Sequence, residues 1–126
     1  MATELARKLR YKAGKALILN APAGYDLNIE IDEEICEKYD FAQLFVNNAG
    51  AVREWLPNVI ESLTSDAVFW ITYPKQSSGV KTDINRDTLA AIVQNETTYQ
   101  VVTNVSIDET WSALRLRQKD KVKASK

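Results

Sequence analysis

The chain contains no histidine and a single cysteine, Cys36. These two absences exclude much chemistry. A lone cysteine forms no intrachain disulfide, and without histidine or a second thiol the usual zinc ligand sets cannot be assembled. Nucleophilic catalysis by a Ser–His or Cys–His pair is excluded on the same ground, and the acidic surroundings of Cys36 work against a thiolate. A Ser–Lys pair such as Ser78 with Lys81 would need a desolvated lysine, which so polar a stretch does not provide. Carboxylates alone can bind magnesium or calcium, but no ligand loop for either is visible, and no cofactor is expected. Glycine is also scarce, at four in 126 residues, and no apolar run approaches the ~18 residues of a membrane span. The polar start MATELARKLR reads as a helix and not as a signal peptide, so a cytoplasmic protein is expected.

What is present describes an ordinary globular domain. Hydrophobic residues make up 45% and charged residues 26%, with a formal net charge of -1. Acidic residues crowd positions 26–40, whereas the end of the chain from Gln118 is rich in lysine. A single domain over residues 1–117 followed by a basic, disordered tail over 118–126 is expected, and the acidic run reads as a solvated face. The tail carries lysines without aromatics, a poor pattern for nucleic acid.

Hydrophobic periodicity gives the element order. Thr3 can cap a short helix carrying Leu5 and Leu9. KALILN (15–20) is a continuous apolar run, as expected for a parallel strand covered on both faces. A glycine-rich, phosphate-binding turn would follow such a strand in a dinucleotide-binding unit, but the sequence there is NAPAGY. Residues 27–31 alternate as a short strand does, and residues 39–46 form a second apolar strand ending in Asn47 and Asn48. A helix over 49–63 shows a stripe at Val52, Trp55, Leu56, Val59, Ile60 and Leu63, and Pro57 predicts a kink or a break into two helices. Residues 64–66 read as a turn into a third strand, 67–73. Asp83 is placed to cap a helix starting near Thr82, with Ile84, Thr88, Ala91 and Ile92 on one face. Two alternating runs, 99–107 and 111–117, make a terminal antiparallel hairpin at one edge of the sheet.

Strand, helix, strand, helix and hairpin define an α/β fold, three-layer and Rossmann-like, with a mostly parallel sheet. The motifs KALILNAP, YDFAQLFV, WITYPKQSSGVKTDINRD and SIDETWSALRLR resemble those of a family of small bacterial proteins of unknown function, over about residues 11–117. The resemblance implies a truncated class I methyltransferase-like fold and no defined activity.

The candidate site is the loop 74–86 beyond the third strand, because ligands of open α/β sheets sit at the carboxyl ends of the strands. Lys75, Ser77, Ser78, Lys81, Thr82 and Arg86 supply cationic and hydroxyl groups there, Gly79 supplies backbone freedom, and Trp111 would form a wall. The pattern Gly79-Val80-Lys81-Thr82 lacks the first glycine and the Gly-Lys pair of a nucleotide-triphosphate loop. Asp108 and Glu109 at the hairpin tip read as turn formers. Three readings result: a non-catalytic module binding an anionic small molecule or acidic partner group, a reduced methyltransferase-like enzyme with altered S-adenosylmethionine binding, or an interaction module using the 99–117 edge hairpin.

Overall fold

A computed structural model describes residues 7–11, 15–21, 25, 31–36, 38–75, 83–107 and 109–118. Three parallel strands come first in the sheet: β1 (Ala16–Leu19), β2 (Tyr39–Phe45) and β3 (Leu63–Pro74). Helix α1 (Ala49–Glu61) joins β2 to β3, and α2 (Arg86–Glu96) joins β3 to β4 (Tyr99–Ser106). The last strand, β5 (Trp111–Gln118), runs antiparallel between β3 and β4, giving the order β1-β2-β3-β5-β4. Gln118, assigned from sequence to the tail, is therefore the end of β5, opposite Tyr99. Beyond β1, Asp32 makes an isolated parallel bridge to Leu17. The expected strand 27–31 lies outside the described residues except for Ile31, as do residues 3–6 of the expected first helix and residues 119–126 of the tail.

Alternation along the strands produces two cores. On one face Leu17, Leu44, Phe69, Ile71 and Leu114 meet Val52, Leu56 and Val59 of α1 and Leu89, Ile92 and Val93 of α2. On the other, Ile18, Phe41, Phe45 and Trp70 pack with Leu9, and the Trp70 indole N–H donates to the Leu9 carbonyl at 2.7 Å. Arg7 and Lys8 are helical, and Arg10 at φ 67° ends that turn. Arg53 of α1 holds Glu96 of α2 through Nη2 at 2.9 Å, a pairing that raises the arginine pKa and lowers the glutamate's. Both side chains are exposed, so water screens the pair.

Four further expectations are corrected. Of the two outcomes expected at Pro57, the break into two helices does not occur; α1 is continuous through it. Pro57 and Arg53 are both exposed, so water can take the Arg53 carbonyl that the missing N–H leaves free, while Val52, Leu56 and Val59 hold the helix to the sheet. Residues 64–66 are strand and not turn, because Tyr39 N–H donates to Ser62 O at 2.7 Å and starts the pairing at Leu63. The ladder then slips between Tyr39 and Phe41, and Thr64 Oγ1 donates to Asp40 Oδ1 at 3.1 Å beside the slip. Asp83 does not cap α2. Its carboxylate accepts from Ala49 N at 2.9 Å at the start of α1, whereas Asn85 caps α2 in a reciprocal box with Thr88. Finally, Thr88 and Ala91 face solvent, and α2 buries Leu89, Ile92 and Val93 behind the buried Ile84.

Two substitutions test this account by urea denaturation. Asn85→Ala should lower stability by about 1 kcal/mol through loss of the cap. Pro57→Ala should raise it by about 1–2 kcal/mol, since a donor to Arg53 O is restored on a face with no packing to disturb. A Pro57→Ala protein no more stable than the parent would show that the ring makes a contact the fold needs.

Candidate functional site

Strands β1, β2 and β3 end on the same edge of the sheet, where Asn20 follows β1, Val46, Asn47 and Asn48 follow β2, and Lys75 follows β3. Asn20 has φ 63°, the left-handed conformation that asparagine tolerates better than other side-chain-bearing residues. The turn after β1 thus begins with the conformation a glycine usually supplies, but carries an exposed carboxamide. Asn48 caps α1, accepting from Ala51 N at 2.8 Å, as expected of an asparagine at a strand-to-helix turn.

At this edge, on the face away from the helices, a buried polar chain crosses the sheet. The Tyr25 hydroxyl donates to Gln43 Oε1 at 2.6 Å, and Gln43 Nε2 donates to Thr72 Oγ1 at 2.8 Å. Gln43 is 1% exposed and Thr72 0%. A carboxamide so enclosed would cost several kcal/mol if left unbonded; both of its ends are satisfied. The Tyr25 ring stands edge-on to Phe45 at 4.8 Å, and Phe45 edge-on to Trp111 at 5.2 Å, a row of three aromatic rings.

Trp111 opens β5 opposite Pro74. Lys75 N–H donates to Thr110 O at 2.7 Å, and its ammonium to Ser106 Oγ at 2.5 Å. A second ammonium, that of Lys8, donates to Ser106 O at 2.9 Å. The structure therefore brings the backbones of Lys75 and Trp111 to one corner, while the Lys75 ammonium goes to Ser106, whose side chain the register places on the sheet face opposite the Trp111 ring. Arg86 is the exposed first residue of α2, whose buried residues pack on the opposite face from Trp111. Ser77, Ser78, Gly79, Lys81, Thr82 and Asp108 lie outside the described residues. Glu109 lies in the bend before β5, consistent with a turn former.

Sequence reasoning missed Lys8, Tyr25, Gln43, Phe45, Thr72 and Ser106. A signal existed for two of them: Gln43 and Thr72 are the polar interruptions near the carboxyl ends of otherwise apolar strands.

The opposite, amino edge holds a different cluster. The Tyr39 hydroxyl, on a fully buried side chain, donates to Asp32 Oδ2 at 2.7 Å, and the Cys36 thiol donates to the same oxygen at 3.3 Å. Hydrogen bonding from Tyr39, then from Cys36, lowers the Asp32 pKa, while burial first, then side-chain hydrogen bonding between Tyr39 and Cys36 and between Tyr39 and Asp32, raises that of Tyr39. An open groove of about 530 Å³ lies nearby, lined by Ile35, Lys38, Asn58, Glu61 and Ser62. Lys38 occupies it by donating to the Glu61 carbonyl at the end of α1. Among the described residues no group of three or more potential metal ligands is gathered, and no helix is long and apolar enough to cross a membrane.

No family model matches the chain, and no curated protein matches it. Solved structures do. The ribosomal protein L11 methylase of Lactobacillus delbrueckii subsp. bulgaricus is similar with a TM-score of 0.56 at 10% identity, over 94% of this chain and 81% of that one. The tRNA methyltransferase TrmK of B. subtilis is similar with a TM-score of 0.57 at 10% identity, over 98% and 69%. The glycopeptide N-methyltransferase MtfA is similar with a TM-score of 0.58 at 8% identity, over 91% and 88%. Identities this low establish a shared fold. The chain has a truncated class I methyltransferase-like Rossmann fold, with its antiparallel strand β5 set between β3 and β4.

The Asp32 cluster gives a pH prediction. A carboxyl group with a lowered folded pKa adds stability above its unfolded pKa of about 3.9 and loses it as pH falls through the folded value. Asp32→Asn should therefore destabilise the protein at neutral pH and converge with the parent in acid, as read from Tm against pH. Parallel curves down to pH 2 would remove Asp32 from the acid limb.

Proposed function

We propose that this protein is a ligand-binding module on a methyltransferase-like scaffold, holding an anionic small molecule at the carboxyl edge of its sheet without transforming it. The observation that supports this reading is the backbone juxtaposition of Lys75 with the start of β5 at the carboxyl edge, where Lys75 N–H donates to Thr110 O and Trp111 ends the Tyr25–Phe45–Trp111 row. Cationic and aromatic groups at one strand end suit a ligand with a negative group and a flat body. Catalysis lacks support from the same residues. Ser106 and Lys75 are in contact, but a Ser–Lys mechanism needs a lysine desolvated enough to lose its proton, and Ser106 is open to water. Ser77, Ser78, Lys81 and Thr82, which follow Lys75 in sequence, would add donors to the same ligand, and Arg86 would act from the start of α2.

One observation favours a second reading, a reduced methyltransferase-like protein retaining altered S-adenosylmethionine binding. Asn20 holds the left-handed turn after β1, and the similar structures include LepI in complex with SAM, although this chain spans 39% of LepI.

A thermal-shift panel separates the two. A ligand at about a hundred times its Kd adds about 2.7 kcal/mol, a clear rise in Tm. Phosphate, sulfate and nucleotides should stabilise the parent and fail to stabilise Lys75→Ala, with Trp111→Phe intermediate. Stabilisation by S-adenosylmethionine or S-adenosylhomocysteine in parent and Lys75→Ala alike would favour the second reading. No shift with any compound would sink both.

A further inference from the structure

Residues 7–10 read Arg-Lys-Leu-Arg and divide sharply by burial. Leu9 is fully buried among Ile18, Phe41, Phe45 and Trp70, and its carbonyl takes the Trp70 indole N–H. Tyr11 follows, half-buried, with its ring edge-on to Phe41 at 5.5 Å. Held at these two points, the segment leaves Arg7, Lys8 and Arg10 exposed on the side of the sheet opposite the helices. Among the described residues no carboxylate pairs with any of the three, and Lys8 is bonded only to the neutral Ser106 carbonyl. Arg10 has φ 67°, the left-handed region that favours glycine. A glycine would end the turn with less strain, so the fold itself gives no reason for an arginine there.

Acidic groups gather on the other side. On α1 and α2 Arg53 is paired with Glu96, and Glu54, Glu61 and Asp87 outnumber Arg86. Alternation along β5 instead puts Arg115 and Arg117 on the face of Trp111 and Ala113, which Leu9 covers, although both have partners within the chain. A chain of net charge -1 thus presents a cationic side. Three cations on four successive residues, on an open ridge and not in a pocket, match an anion that repeats its charge along a chain. Two of them are arginines, whose planar fork meets phosphate oxygens in pairs. A lipid surface would require large apolar side chains exposed beside the cations. Among the described residues such side chains are Ile35 and Val102, and neither belongs to this segment. A half-exposed ring directly after Arg10 suits unpaired bases, which associate with aromatic side chains whatever their sequence. We infer that residues 7–11 form a binding ridge for single-stranded nucleic acid, held through its phosphates without regard to base sequence. This surface is separate from the carboxyl-edge site proposed above and does not depend on it.

Fluorescence anisotropy of a labelled oligouridine of about twelve nucleotides tests the inference. The parent should bind it with a slope of log K against log salt of about -2 or steeper, from about -0.7 per phosphate met. Arg7→Gln, Lys8→Gln and Arg10→Gly should each make that slope shallower by about 0.7, and the triple variant should lose at least about tenfold in affinity at low salt. Arg10→Gly should melt no lower than the parent, because glycine relaxes the left-handed residue, so its weaker binding would not reflect misfolding. Oligouridine should be preferred over a duplex of equal length and over a polyglutamate peptide of equal charge. Failure of the parent to bind oligouridine, unchanged affinity in the triple variant, or equally tight binding of the duplex or of polyglutamate would overturn the inference. So would capture by phosphatidylglycerol vesicles without oligouridine binding, which would assign the ridge to a lipid surface.

Discussion

Strand β3 is hydrogen-bonded along both edges, parallel to β2 and antiparallel to β5, and from Phe69 to Pro74 it is buried on both faces. A strand with no solvent side must be apolar almost throughout, which is why the run from Val68 to Tyr73 tolerates one polar side chain, Thr72. Everything else is placed from it. Phe69 and Ile71 receive the two helices, Trp70 anchors the N-terminal segment through Leu9, and Pro74 fixes the level at which Trp111 begins. The candidate site is what the chain builds where this central strand runs out.

The two ends of the sheet differ in electrostatic character. At the amino edge the Asp32 carboxylate is occupied by donors from Tyr39 and Cys36, and Lys38 closes the end of α1. Those charges are engaged by the fold itself. At the carboxyl edge both helices begin, and Lys8 and Lys75 meet. Helix starts carry partial positive charge, and at α1 that charge is already met by the Asp83 carboxylate on Ala49 N.

Strand order and helix faces were largely legible in the sequence because they follow from periodicity. KALILN, the 39–46 run and the stripe Val52–Leu56–Val59 state their environments directly. Errors fell where tertiary context decides. Asp83 and Asn85 are both good caps by residue type, and only the arrival of α1 shows that Asp83 is taken by Ala49. Pro57 breaks a helix in isolation but not one held by a packed stripe with its ring in water. Of the site, Lys75 and Trp111 could be read from their position at strand ends. Lys8 and Ser106 could not, since they are separated by most of the chain and neither lies in a motif.

The outer strand of the described sheet, β4, shifts register between Val101 and Thr103, and its last carbonyl, at Ser106, is covered by Lys8. A strand border normally offers any passing extended peptide a regular row of donors and acceptors. Here the row is kinked midway and plugged at one end, so an added strand would find neither even spacing nor a free terminus. Lys8 thus covers the end of that row, at the same corner as the candidate site.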